Sequence, residues 1–255
     1  MDQSLLAWVT DLLWVLLFWV LALFLVTAGV YMTVGPALRQ GRAKRRVARA
    51  IAQADLPALH DLVLRGRRGG PIQVDHVVRL PTGFVVLETV VRTGRLVGTE
   101  RSRAWHQSIG WHRHTFGNPL RRLERVMAAV RRALPAPTEA TEPVLVTGQV
   151  LVPARTRFTR GRPEGVSGLG DFLDHLRAAN DANKDQPPVP ELDQAWHALA
   201  EAGLASAKAG GDPTWTTAPR RVLRHLLADP RTATGVVCAV TGGLMALGLG
   251  LGLLP

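Results

Sequence analysis

Two long apolar runs lie near the two ends of the chain, and every basic residue lies between them. Leu12–Val34 is 23 residues without a charge. At about 1.5 Å rise per residue such a helix crosses a hydrocarbon core of about 30 Å. The preceding MDQSLLAWVTD is acidic, and no small-residue cleavage site follows, so the run reads as a retained span rather than a signal peptide. The second run, Thr232–Pro255, is uncharged and glycine-rich. Its Gly242, Ala246 and Gly250 recur every four residues. This spacing suits close packing against the first helix or against another copy in a homo-oligomer. It also matches the ordinary glycine content of membrane helices.

Between the runs the periodicity changes repeatedly. From Pro36 to about Ala54 the pattern is a basic amphipathic helix with sparse apolar positions at Leu38, Val47 and Ile51, broken by Pro57. HDLVLRG is a short candidate strand ending at GRRGG. Ile72–Leu80 and Gly83–Arg92 are strand-like runs separated by Pro-Thr-Gly, which predicts a hairpin. An irregular Gly/Trp/His stretch continues to Gly117. A helix then begins at an Asn118 cap with Pro119 at its first position, and its apolar face is Leu120, Leu123, Val126, Met127, Val130 and Leu134. PVLVTGQVLV is a buried-type strand, GLGDFLDHLRAAN a short helix, and ELDQAWHALAEAGLASAKAG a further helix. The expected organisation is a first span over 1–35, a domain over 36–180, a linker with accessory helices over 181–231, and a second span over 232–255. Helices and strands in this order predict an α/β or α+β core.

Charge adds an orientation and a class of partner. The chain carries 31 Lys and Arg against 20 Asp and Glu, for a formal net charge of +11. All of the former and 18 of the latter lie between Arg39 and Arg231, which leaves that segment at +13. A charge of this size favours polyanions, either DNA or RNA or anionic lipid headgroups. Arginines beside a membrane also simply set topology. Arg39, Arg42, Lys44, Arg45, Arg46 and Arg49 follow the first run, and Arg220, Arg221, Arg224 and Arg231 precede the second. Both clusters border the middle segment. In a bacterial inner membrane this places the middle in the cytoplasm and both termini on the opposite side. The single cysteine, Cys238, excludes an intrachain disulfide framework.

The candidate chemistry centres on Asp75 and Glu88. A hairpin turning at Pro81–Gly83 can bring them together at one end. Two carboxylates so held can share a divalent metal such as Mg²⁺, which takes oxygen ligands. The run IQVDHVVRLPTGFVVLETVVRTGRLVG, with tryptophans and then GNPLRRLERVMAAVRRAL, resembles the nuclease-related domain family, NERD. The matching positions are Asp75, His76, Gly83, Glu88, Gly94, Leu96, Gly98, Trp105 or Trp111, and Asn118-Pro119-Leu120, and the resemblance spans roughly Arg39–Arg177. It implies a restriction-endonuclease-like PD-(D/E)XK fold, with a mixed sheet flanked by helices and here one transmembrane helix at each end. It also implies Mg²⁺-dependent phosphodiester hydrolysis with Asp75 and Glu88 as metal ligands.

Three positions depart from the family's pattern. Val90 stands where the Lys of Glu-X-Lys is implied to activate water. Ala43-Lys44 stands for a Gly-Glu pair, and Arg122 stands where a Gln is expected. Arg92 shares the strand face of Glu88 by even spacing and is the candidate displaced cation, although its very high pKa makes it a poor proton acceptor. The expectation is therefore a catalytic set of Asp75, Glu88 and Arg92 that is vestigial or displaced. Beside it stands a nucleic-acid surface of Arg101, Arg103, Trp105, Trp111, Arg113, Arg121 and Arg122, where aromatics among arginines suit base stacking and phosphate neutralisation. His106, His112 and His114 match no standard zinc spacing. The leading expectation is a membrane-anchored, non-catalytic nucleic-acid-binding or scaffold module. The alternatives are an active Mg²⁺-dependent nuclease, and a structural membrane protein that binds lipid headgroups or a protein partner.

Overall fold

The computed structural model describes residues 3–136, 143–183, 189–208 and 230–250. Two compact units emerge. One joins Met1–Arg39 with Thr217–Pro255, and the other is Gln40–Thr216. The domain boundary expected at 180 falls inside the second unit.

The first apolar run and the basic segment after it form one helix, α1 (Gln3–Gln53), rather than two. Pro36 lies within it. Its missing N–H costs one ladder bond. Leu38, expected on an apolar face, is exposed, whereas Val47 and Ile51 are buried. The stretch of α1 beginning at Trp8 is long and apolar enough to cross a membrane. The last described helix carries an apolar run, Ala233–Leu249, and residues 251–255 of the span expected over 232–255 lie outside the described residues.

Within the first unit these two helices run antiparallel through small residues. A Cβ on Gly242 would lie 2.7 Å from the Ala22 carbonyl oxygen, and one on Gly235 would lie 2.9 Å from that of Gly29. Close backbone approach of this kind needs glycine on the facing surface. Gly242, whose spacing suited packing against the first helix or against another copy, faces the first helix.

The second unit is built on a five-stranded sheet. Its strands are β1 (Ala58–Arg65), β2 (Pro71–Leu80), β3 (Gly83–Thr89), β7 (Leu145–Val152) and β9 (Val166–Gly168), in that spatial order. β1–β2 and β2–β3 pair antiparallel, while β3–β7 and β7–β9 pair parallel. The hairpin expected at Pro81–Gly83 is present. Gly83 adopts φ +148, and a side chain there would strike the Leu145 carbonyl oxygen. β3 is buried along its whole length, which explains its unbroken apolar run. One face of the sheet packs on α2 (Pro119–Ala133) and α4 (Pro190–Lys208), with Phe84, Val86, Leu123, Val130 and Leu199 in the interface. The other face packs on the end of α1 and on α3 (Leu169–Ala182), through Val47, Ile51, Val85, Leu87 and Leu176. α4, expected as an accessory to the domain, contributes buried Leu192, Ala195 and Leu199 to its core.

The stretch expected to be irregular is a second sheet. β4 (Gly94–Val97), β5 (Ala104–Ile109), β6 (His112–Gly117) and β8 (Thr156–Phe158) lie in the order β6-β5-β4-β8. Trp105 and Gln107 alternate inward from β5, and the Trp105 ring meets Phe116 and Phe158 edge-on. The architecture is thus mixed α/β with two sheets. α5 (Pro230–Gly250) completes the described elements.

Candidate functional site

Asp75 and Glu88 do converge. The β2–β3 ladder pairs His76 with Leu87, and one further step in the same register sets Asp75 opposite Glu88. Residues directly opposite on antiparallel strands share a face. Both carboxylates are buried, Asp75 completely. The Thr89 backbone N–H donates to Asp75 Oδ2 at 3.0 Å, which ties the end of β3 to β2.

Each carboxylate is held by a cation from a helix. Lys44 of α1 places its Nζ 2.6 Å from Asp75 Oδ1 and 3.6 Å from Asp61 Oδ1. Arg122, in the first turn of α2, places Nε 2.7 Å from Glu88 Oε1. These are two of the three positions that depart from the family's pattern. The third, Val90, packs with the apolar cluster under α2. With both carboxyls ionised, Asp75, Glu88, Lys44 and Arg122 sum to zero charge.

This donor set does not fit a divalent metal. Mg²⁺ would need several carboxylate oxygens together with water. Here Lys44 faces Asp75 Oδ1, the Thr89 amide occupies Oδ2, and Arg122 occupies Glu88 Oε1. Glu88 Oε2 is left buried without a hydrogen bond. Among the described residues no group of three or more His, Cys, Asp or Glu side chains could hold a metal.

Burial pushes the Glu88 carboxyl up to about 7, and repulsion from Asp75 adds to it, against the pull of Arg122 and Lys44. Beside the site, His76 on β2 faces its cross-strand partner His60, with the two Nδ1 atoms 2.9 Å apart. Burial, then repulsion from His60, lowers His76 to about 4, with Lys44 pushing the same way against Asp75 and Asp61. The two groups give opposite pH dependences. The native state keeps the Glu88 proton that the unfolded chain gives up above pH 4.5, so this stabilisation is present in acid and is lost as pH rises through 7. His76 stays neutral in the native state while the unfolded chain is protonated, so its penalty grows as pH falls from 6.5 to 4. Glu88→Gln removes only the first effect. The stability gap between variant and parent should widen in the variant's favour by roughly 2–3 kcal/mol from pH 4 to 8. Urea titrations across that range test it, and parallel profiles would contradict the buried, proton-holding carboxyl.

Arg92 is not in the cluster. β3 ends at Thr89, and the chain turns into the second sheet. There Arg92 Nη1 donates to Gln107 Oε1 at 3.2 Å and the guanidinium sits 5.0 Å from the Phe116 ring centroid. The even spacing that assigned it to the Glu88 face holds only while the strand continues.

The expected nucleic-acid residues separate. Trp105 is fully buried, with its indole N–H donating to Thr99 O at 3.0 Å, so it offers no stacking face. Arg122 is committed to Glu88. Arg101, Arg103, Arg113 and Arg121 are exposed, and Arg121 also donates to the Arg101 carbonyl. Trp111 is fully exposed at the β5–β6 turn. The loop carrying Arg101 is fixed by Asn118, whose Nδ2 donates to the carbonyls of Thr99, Glu100 and Ser102 while its Oδ1 caps α2 at the Leu120 N–H. His106 lies on the opposite face of its hairpin from His112 and His114, so the three do not converge.

Lys44 and Thr89 are the site residues that spacing alone did not single out. Lys44 is one of six closely spaced cations in the sequence, and only its neighbour Val47, buried one turn later, marks its face as inward.

Residues 39–153 match the family model NERD, nuclease-related domain. A 61-residue stretch is 34% identical to an uncharacterized protein of Bacillus anthracis, covering 24% of this chain and 29% of that protein. The match therefore spans less than a third of that relative. No solved structure matches.

Proposed function

With residues 39–153 carrying a nuclease-related domain, we propose that this domain has become a non-hydrolytic module that binds nucleic acid while anchored to a membrane by α1. The observation that carries the reading is the pair of contacts Lys44–Asp75 and Arg122–Glu88. Metal-assisted phosphodiester cleavage needs carboxylates open to the ion and a group that readies water for attack. Here the carboxylates are neutralised from within, Val90 cannot handle a proton, and Arg92 is held by Gln107 and Phe116. The fold is retained while the chemistry is lost, and the exposed Arg101, Arg103, Arg113 and Arg121, with Trp111, remain for binding.

The basic clusters flanking both apolar runs support a cytoplasmic orientation of the domain at a bacterial inner membrane. In the test, the full-length protein in neutral detergent is incubated with supercoiled and single-stranded DNA and Mg²⁺ or Mn²⁺, beside its Glu88→Ala variant. Neither should cleave, and the parent should retain DNA more strongly at low salt. Cleavage by the parent and not by Glu88→Ala would show that the site is catalytic and overturn the proposal.

A further inference from the structure

The second sheet has one face with no role in the core. Inward from it point Leu96, Trp105, Gln107 and Phe158, and outward point Arg95, Ser108, Arg113 and Arg157. The register puts these four outward residues in one row across all four strands. Arg113 lies opposite Ser108, Ser108 opposite Arg95, and Arg95 opposite Arg157. Neighbouring strands are about 4.8 Å apart, so the row is a line of cations about 15 Å long. The next row begins with Thr115 opposite His106.

No Asp or Glu occurs on any of these four strands. The three arginines are exposed, and among the described ion pairs none involves them. Like charges directly opposite on a sheet, as in Arg95 and Arg157, are destabilising by themselves. An anion laid along the row would relieve the pair. At the end of the same sheet, the two-residue turn of β5–β6 uses Gly110 at φ +57 to present Trp111. Trp111 is 101% exposed, more than any other large apolar residue among the described residues. The basic loop beside α2 differs, because Glu100 lies next to Arg101 and accepts the Glu164 N–H.

We infer that the outer face of the β6-β5-β4-β8 sheet is a binding platform for single-stranded nucleic acid, with Arg113, Arg95 and Arg157 along the phosphates and Trp111 stacked on a base. This rests on the nucleic-acid reading above and moves its centre from the basic loop at Arg101 and Arg121 to the second sheet. Cations in a row track a flexible polyanion, and an aromatic with a free face stacks on any base without sequence preference. A duplex hides its bases and offers Trp111 nothing to stack on.

The test measures fluorescence anisotropy of labelled oligothymidylate and of a matched duplex, with the full-length protein in neutral detergent at two salt concentrations. The variants are Arg95→Ser/Arg113→Ser/Arg157→Ser, Trp111→Ala, and a charge-matched control, Arg45→Ser/Arg46→Ser/Arg49→Ser, on α1. The platform triple should bind at least tenfold more weakly than the control. Its log–log salt slope should be shallower by about 2, from about 0.7 per phosphate contact. Trp111→Ala should cost single-strand affinity about 5- to 100-fold with the salt slope kept. Melting temperatures should show all variants folded, the platform triple losing none of the parent's stability.

If the parent binds no nucleic acid at all, the function proposed above fails and this inference with it. If the parent binds but the platform triple matches the control, that function stands and this inference is wrong. Equal affinity for duplex, with Trp111→Ala silent, overturns the single-strand assignment. Platform variants that lose only vesicles containing anionic lipid overturn it in favour of a membrane surface.

Discussion

Lys44→Met should lower stability by about 3–5 kcal/mol at neutral pH, because it strands a fully buried carboxylate. Asp75 has one oxygen on the Thr89 amide and the other facing the Lys44 ammonium, whose side chain is only 12% exposed. Asp61, the second acidic neighbour of Lys44, is exposed and can turn to water, but Asp75 cannot. The companion variant Lys44→Met/Asp75→Asn keeps an acceptor for the Thr89 N–H and removes the charge. It should recover most of the loss, since replacing both members of a buried pair is often close to neutral. Chemical denaturation of parent, single and double variants measures this. A single variant within about 1 kcal/mol of the parent would mean that Asp75 does not depend on Lys44, and the picture of a helix-supplied counter-ion would fail.

Trp105→Ala should cost about 3–5 kcal/mol, the usual range for truncating a large buried aromatic. The ring fills the space between β5, Phe116 and Phe158, and its N–H satisfies the Thr99 carbonyl. A Cβ at Gly98 would collide with that ring, so the pocket is closed on that side as well. The loss falls on the sheet that carries the arginine row, so the variant should also weaken nucleic-acid binding. Trp111→Ala, at a fully exposed position, should leave stability within about 0.5 kcal/mol of the parent. Opposite ranking of the two tryptophans in thermal unfolding would refute the assignment of core and platform.

Pattern alone determined the elements whose apolar period is uninterrupted. The β2–β3 hairpin has a Pro-Thr-Gly turn between two strong β runs, and α2 has a cap, a proline and a clean stripe, so local chemistry fixed both. That hairpin allowed Asp75 and Glu88 to meet, and the register found in the structure sets them opposite each other. β4, β5 and β6 were not legible as strands. Their exposed face is polar and arginine-rich, their buried face includes Gln107, and the short alternation is diluted by histidines and glycines. β8 and β9 are three residues each, too short to carry a period.

Only the tertiary structure decided the charge partners. Whether a given arginine faces water, a ring or a carboxylate depends on where the strand ends and which helix packs above it. That is why Arg92 left the site and why Lys44 and Arg122 entered it. The sequence by itself determined the segregation of charge and apolar runs, the hairpin that carries Asp75 and Glu88, and the apolar residue at Val90. Folding decided what stands beside the two carboxylates, because a buried carboxylate must find a cation or a proton, and which of them is within reach is set by packing across elements far apart in the chain.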